Sequence, residues 1–197
     1  MRLYLIRHGE SVGNLHRLIF GHSDHPLTEA GVAHAEEAAE KLKDAHVECC
    51  YTSTLQRASH TAEICFKSRD IPMVYSDALR EQHMGFWEDC TFEDLMDRYP
   101  NEFSSMMTDW THSAPIGGES FDEVYSRVTA YVDEIVNKGE DAAIVAHNGP
   151  LSMIITYLLG LGKGSIESFY FLHGCYSAVS IGDGYRKGLN SLICFNK

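Results

Sequence analysis

Positive charge is scarce in this chain. Its 197 residues carry 16 Lys and Arg against 28 Asp and Glu, a net charge of -12. Nucleic-acid backbones and anionic membrane surfaces bind clustered cations, so neither is expected as a partner. An anionic substrate would have to be captured by a few local cations rather than by a global field. Long apolar runs are missing too. The longest candidate, Met153-Ile154-Ile155-Thr156-Tyr157-Leu158-Leu159, is far too short to cross a bilayer. The start is charged at Arg2 and turns to loop at residue 7, so no targeting segment is expected. None of the cysteines at 49, 50, 65, 90, 175 and 194 forms a CxxC pair, and adjacent Cys49-Cys50 in an apolar segment would chelate zinc poorly. Reduced thiols in a cytoplasmic protein are the expectation, not a disulfide framework. His16, His22, His25, His83 and His112 lack ligand spacing, so no metal and no cofactor are expected. There is no internal repeat, low-complexity tract or Pro/Ser-rich linker. What remains is 44% hydrophobic and 22% charged, enough for one domain over residues 1–197 with a real core.

Strand-like and helix-like segments alternate, which predicts an α/β fold with a mainly parallel central sheet flanked by helices. Leu3-Tyr4-Leu5-Ile6 is an apolar run with the character of a buried strand. Thr28 is a candidate N-cap, with Glu29 favoured in the first turn, for a helix running to about Asp44 and turning Val32, Ala35, Ala39 and Leu42 inward. A second strand is expected over 47–51, ended by Thr52-Ser53, and then a helix through Leu55, Ala58, Ala62 and Ile64. A short strand follows near 73–75. Residues 82–118, rich in aromatics and acids, are predicted as a helical excursion over one end of the sheet. It holds two short helices, Phe92–Arg98 and Asn101–Asp109, split by Pro100. Ser120-Phe121-Asp122-Glu123 is a capping box opening a long helix through Val124, Val128, Tyr131, Val132 and Ile135. Ala142–Ala146 is a buried strand, and Gly149-Pro150 start a helix stopping at Gly160. Two last β runs, 178–181 and 189–194, flank a Gly182-Asp183-Gly184 turn.

Polar residues stand where these strands end: Arg7-His8, Arg57, Glu81 and His147. In open α/β sheets that rim is where ligands bind. A guanidinium fork suits phosphate oxygens, and a neutral imidazole can attack phosphorus. Taken singly, each has a plainer alternative: an ion-paired arginine, a loop-capping histidine, a solvated helix arginine, a surface carboxylate.

Taken together, they lie in blocks that resemble one family. Arg7-His8-Gly9-Glu10-Ser11-Val12-Gly13-Asn14 resembles the RHG signature of the histidine phosphatase superfamily, the phosphoglycerate mutase-like proteins. Ser53 to Ala62 resembles its S-x-L-x-R-A-x-x-T-A block, and Leu79 to Glu88 its L-x-E-x-x-x-G-x-W-E block. Val145-Ala146-His147-Asn148 is similar to V-x-H-G. Gly21 to Gly31 and Gly117-Gly118-Glu119-Ser120 match further blocks, all in the family's order over roughly residues 2 to 150. Two positions depart: Asn148 and Asp89 stand where the family usually has glycine, Asp89 adding negative charge near the expected pocket. No Arg follows Glu10, unlike the secreted acid phosphatase branch.

The resemblance implies a metal-independent phosphatase acting on a small phosphorylated metabolite through a phosphohistidine. It implies His8 as nucleophile, Glu81 as proton donor and Arg7, Arg57 and His147 around the phosphoryl oxygens. Asn14, Phe20, Gly21 and Asn148 are expected to line the phosphate or substrate site, and Arg17, His22, His83 and Met84 to shape specificity. The small alpha-ribazole and broad-specificity phosphatases are the nearest type. A cofactor-dependent phosphoglycerate mutase is the alternative, but 81–118 holds only Arg98 and no Lys with which to grip a bisphosphate. An inactive binding module of the same fold would be expected to lose His8 or Glu81, and both are present. The sequence assigns no oligomeric state.

Overall fold

The computed structural model describes residues 1–182 and 188–197. Six strands form one sheet: β1 (Arg2–Arg7), β2 (Cys49–Ser53), β3 (Met73–Ser76), β4 (Ala142–Ala146), β5 (Tyr176–Ser180) and β6 (Ser191–Cys194). Their spatial order is β3-β2-β4-β1-β5-β6. The first four neighbours run parallel, and β5 and β6 are antiparallel additions at one edge. The sheet is thus mainly parallel and flanked by helices, as expected. The Asp183-Gly184 part of the expected hairpin turn lies outside the described residues.

Side-chain alternation sends the strands into two cores. Leu3, Leu5 and Ile144 pack against Val128 and Val132 of α6 (Phe121–Lys138) and Ile154 of α7 (Asn148–Leu158). Tyr4, Ile6 and Val145 pack on the other face, against Ala35 and Ala38 of α2 (Glu29–Lys41) and Ala62 and Phe66 of α3 (Gln56–Phe66). Both faces of β1 and β4 are covered, which is why these strands are unbroken apolar runs.

Several boundaries differ from expectation. Strand β2 starts at Cys49, not 47, and keeps Thr52 and Ser53 in the ladder. Helix α2 stops at Lys41, and it turns Ala38 inward where Ala39 was expected; Ala39 is only half-buried. Two helices do meet at Pro100, but Pro100 belongs to the second of them. It opens α5 (Pro100–Thr108) directly after α4 (Phe92–Arg98), because the first helical position needs no backbone N–H. Helix α7 ends at Leu158, before Gly160 with its left-handed backbone (φ +67°). A short helix α1 (Val12–Leu15), capped by Ser11, follows the RHG segment, and the sequence pattern gave no sign of it. Helices α4 and α5 carry their own small core, where Trp87, Cys90 and Leu95 meet Ile19, Tyr99 and Phe103.

Candidate active site

Register brings the two histidines together. β4 is inserted between β2 and β1, and Arg7 is paired with Ala146. The next residues, His8 and His147, therefore leave adjacent strands at the same level. The His8 N–H donates to Ala146 O at 3.0 Å, and the two rings lie 5.0 Å apart. On the other side of β4, β2 ends at Ser53 and α3 begins at once, which delivers Arg57 to His147. From β3 the chain passes through a 3-10 turn (Asp77–Leu79) and reaches Glu81, beside the start of α7.

His8 is 3% exposed, and its Nδ1 lies 2.7 Å from the Gly9 carbonyl. A carbonyl only accepts, so Nδ1 carries the proton and the Nε2 lone pair is left bare. Burial, then the charges of Arg57 and Arg7, hold this imidazole well below its ordinary value of 6.5. It is a neutral base with one nitrogen tethered.

Arg57 is 1% exposed and stacked on Phe20, with its guanidinium carbon 4.8 Å from the ring centre. Its three nitrogens donate to His147 Nδ1 (3.2 Å), Ser23 O (3.0 Å) and Gly21 O (2.7 Å). A guanidinium has five N–H bonds, so donors remain for a ligand. Burial lowers its pKa to about 10, so it keeps its charge at neutral pH. Because Arg57 donates to Nδ1 of His147, the proton of that ring sits on Nε2, which donates to Ser53 Oγ at 2.9 Å. Burial and Arg57 push His147 well below the ordinary range as well. Arg7 donates through Nη1 to Phe171 O (2.8 Å) and lies 5.1 Å from the Tyr170 ring centre, while its buried Nε has no partner among the described residues.

Glu81 accepts from the Gly149 N–H at 3.1 Å and from the following Gln82 N–H at 3.0 Å. A Cβ on residue 149 would stand 2.3 Å from Glu81 Oε1, so the carboxylate occupies the space that glycine leaves. Two carboxylate knots brace this segment. Glu88 accepts from the N–H groups of Gly21, His22, Ser23 and Met84, and is held below the usual carboxylate range by those bonds against the opposing effect of burial. Glu119 pairs with Arg127, which also donates to the carbonyls of Ala78, Arg80 and Glu81.

The other expected residues divide. Asn14 uses Oδ1 to accept from Ser11 (3.0 Å from its N–H, 2.9 Å from its hydroxyl), which leaves the amide N–H groups to donate. Phe20 and Gly21 meet Arg57 through a ring face and a carbonyl. Asn148 turns Oδ1 to the Phe171 N–H (2.9 Å). His22 and His83 pair 4.7 Å apart beside Glu119. Met84 packs into the core of α4 and α5. Arg17 is exposed with left-handed backbone (φ 54°), and its side chain bonds to none of the described residues. Asp89 does add a carboxylate, but His25 and Ser23 take up its oxygens at 2.6 and 2.8 Å. Its φ of 62° is why glycine suits that position, and Asp is among the few residues that tolerate it. The pattern did not single out Ser53, Thr61 or the 169–173 segment as part of the site.

The histidines set a pH dependence of stability. His8, His147 and His173 all have folded-state pKa values below 6.5, His173 at about 4 through burial and Arg7. The unfolded chain therefore binds protons that the folded chain refuses, and stability is lost as pH falls below 6.5. Exposed His112, raised by its Asp109 pair, works the other way. Urea unfolding should show a clear decline in stability from pH 7 to pH 5; a flat or rising profile would contradict the buried neutral imidazoles.

Comparison with known proteins gives this constellation its relatives. The Salmonella typhimurium adenosylcobalamin/alpha-ribazole phosphatase is 34% identical over 195 residues, covering 97% of this chain and 96% of that protein. The crystal structure of a Shigella flexneri alpha-ribazole phosphatase superposes with a TM-score of 0.94 at 33% identity, covering 100% of this chain and 96% of the other. A mycobacterial glucosyl-3-phosphoglycerate phosphatase solved with VO3 gives 0.86 at 26% identity, over 99% and 98% of the two chains. Residues 3–191 match the histidine phosphatase superfamily (branch 1), and the chain belongs to that family.

Proposed function

We propose that this protein hydrolyses small phosphomonoesters through a phosphohistidine formed on His8. The observation that carries the reading is the tethered, buried, neutral imidazole of His8 set among Arg7, Arg57 and His147. The Nε2 lone pair attacks phosphorus in line as the P–O bond to the alcohol breaks, and Glu81 gives its proton to the leaving oxygen. Glu81 then takes a proton from water, whose oxygen attacks the phosphoryl group; the P–N bond breaks and His8 returns neutral. Positive charge aimed at the equatorial oxygens is where most of the acceleration arises, because phosphoryl transfer asks little covalent help of the protein.

Arg7 Nε, buried without a partner among the described residues, and the spare N–H groups of Arg57 support their roles as phosphate donors. The amide of Asn14 is free to join them. His147 acts there through its Nε2–H, exchanging the Ser53 hydroxyl for a phosphate oxygen. No step calls on a metal. One domain, residues 1–197, with 82–118 laid over the rim, is part of the reading. So is a cytoplasmic setting, which the free thiols support.

Beside Gly149, whose N–H holds Glu81, a cavity of about 420 Å³ is walled by Trp110, Asn148, Gly149, Ile166 and Tyr170. Its one charged lining residue is acidic Glu167, which suits an alcohol without a second anionic group. The one cation of the excursion, Arg98, contacts Cys90 and Tyr99 instead. Both observations favour hydrolysis over mutase chemistry. The names of the relatives make alpha-ribazole phosphate the first substrate to try, beside sugar phosphates and phosphoserine.

With EDTA present, the protein should hydrolyse p-nitrophenyl phosphate, and His8→Ala should abolish turnover while leaving the circular dichroism spectrum unchanged. Full activity in that variant would remove His8 as nucleophile. Bisphosphoglycerate-dependent interconversion of phosphoglycerates would favour a mutase instead. Gly149→Ala should lower kcat about 100-fold by displacing the Glu81 carboxylate, since an error of about 1 Å costs that much; an unchanged kcat would show that Glu81 need not sit there.

A further inference from the structure

Beyond the five rim residues, one peptide group draws attention: the link between His8 and Gly9. Its orientation decides where the nucleophile points, because the Gly9 carbonyl just beyond it holds His8 Nδ1. This peptide is gripped at both ends. Its carbonyl, His8 O, lies 2.5 Å from His173 Nδ1, and its N–H, on Gly9, donates to Thr61 Oγ1 at 3.0 Å. The Thr61 hydroxyl is 1% exposed and donates onward to Arg57 O at 2.7 Å.

His173 is itself firmly held. One face stacks on His34 of α2, with ring centres 5.5 Å apart and planes 16° apart, and its ring centre lies 5.6 Å from that of His8. The segment that carries it is fixed at four further points. Phe171 N–H donates to Asn148 Oδ1, Phe171 O accepts from Arg7, Leu172 N–H donates to Asn196 Oδ1, and Asn196 Nδ2 donates to Tyr170 O. A neutral imidazole that donates to a carbonyl through Nδ1 keeps its proton there, so the half-buried His173 needs no added proton for the grip.

We propose that His173 is a positioning residue for the phosphorylated histidine, with Thr61 as the opposite jaw of the same clamp. This rests on His8 being the nucleophile. His173 donates to the His8 carbonyl and fixes the peptide plane; the plane fixes the Gly9 carbonyl; that carbonyl sets the ring angle and the aim of Nε2. Substrate binding uses the guanidiniums, and the His173 side chain bonds to neither of them among the described residues. Loss of His173 should therefore act on the chemical step.

The side chains of asparagine and glutamine separate this role from simple packing. Asn places an amide N–H near the Nδ1 position, whereas Gln places it near Nε2, away from the His8 carbonyl. In p-nitrophenyl phosphate turnover, His173→Gln and His173→Leu should lose about 10- to 100-fold in kcat, the scale expected for a misaimed group. Their KM should stay within about twofold, and His173→Asn should recover to within about threefold of the wild-type kcat. Thr61→Val should also lower kcat, and combined with His173→Gln it should cost less than the product of the two losses, since both act on one peptide. Wild-type kcat in His173→Gln would overturn the proposal. So would equal losses in the Asn and Gln variants, or a loss that tracks only the folded fraction measured by thermal unfolding. A wild-type protein that turns over no phosphomonoester would instead remove the phosphatase reading itself.

Discussion

Two buried guanidinium groups set against two neutral imidazoles are the constraint on which the rest of this structure depends. Burial lowers the proton affinity of His8 and His147, and the charges of Arg57 and Arg7 lower it further. The same cations that help burial keep His8 unprotonated supply the charge that an incoming phosphoryl group needs. Nucleophile activation and anion binding are therefore one electrostatic arrangement. It is local: the chain as a whole carries -12, so nothing in its global field draws an anion in.

Holding like charges side by side in a buried site costs stability, and the fold offsets that cost with backbone dipoles. Arg57 is tied to the carbonyls of Gly21 and Ser23, and Arg7 to that of Phe171. Loop geometry follows from these bonds, since the 21–23 turn is in turn knotted to Glu88. Close backbone approach completes the frame. A Cβ on Gly9 would stand 2.1 Å from Gly31 O, so the RHG turn lies directly on the start of α2. Glu81 is set by the same means, through the room left by Gly149.

Much of this was legible in the residues. Strands β1 and β4 announced themselves as short apolar runs because both faces are buried. Helix α6 did so through its capping box and its apolar stripe. The five rim residues were legible through block order. What the sequence could not carry was register. That Arg7 pairs with Ala146, and so sets His8 beside His147, follows from the insertion of β4 between its neighbours, which no local pattern records. The two departures at glycine positions became intelligible only with coordinates. Asp89 sits at a left-handed φ with its carboxylate oxygens bonded to His25 and Ser23, and Asn148 spends its oxygen on Phe171. The 169–174 segment was invisible for a different reason. It lies far from the signature blocks, has neither strand nor helix periodicity, and meets His8 through a side chain to backbone bond and a ring contact.

The central claim is that a neutral His8 becomes covalently phosphorylated. Rapid acid-free quenching of the protein with 32P-labelled phosphomonoester, followed by peptide mapping, tests it most directly. The account predicts an acid-labile, base-stable label on His8 that forms and decays at least as fast as turnover. A substrate turned over without any such label, or a label on another residue, would contradict it.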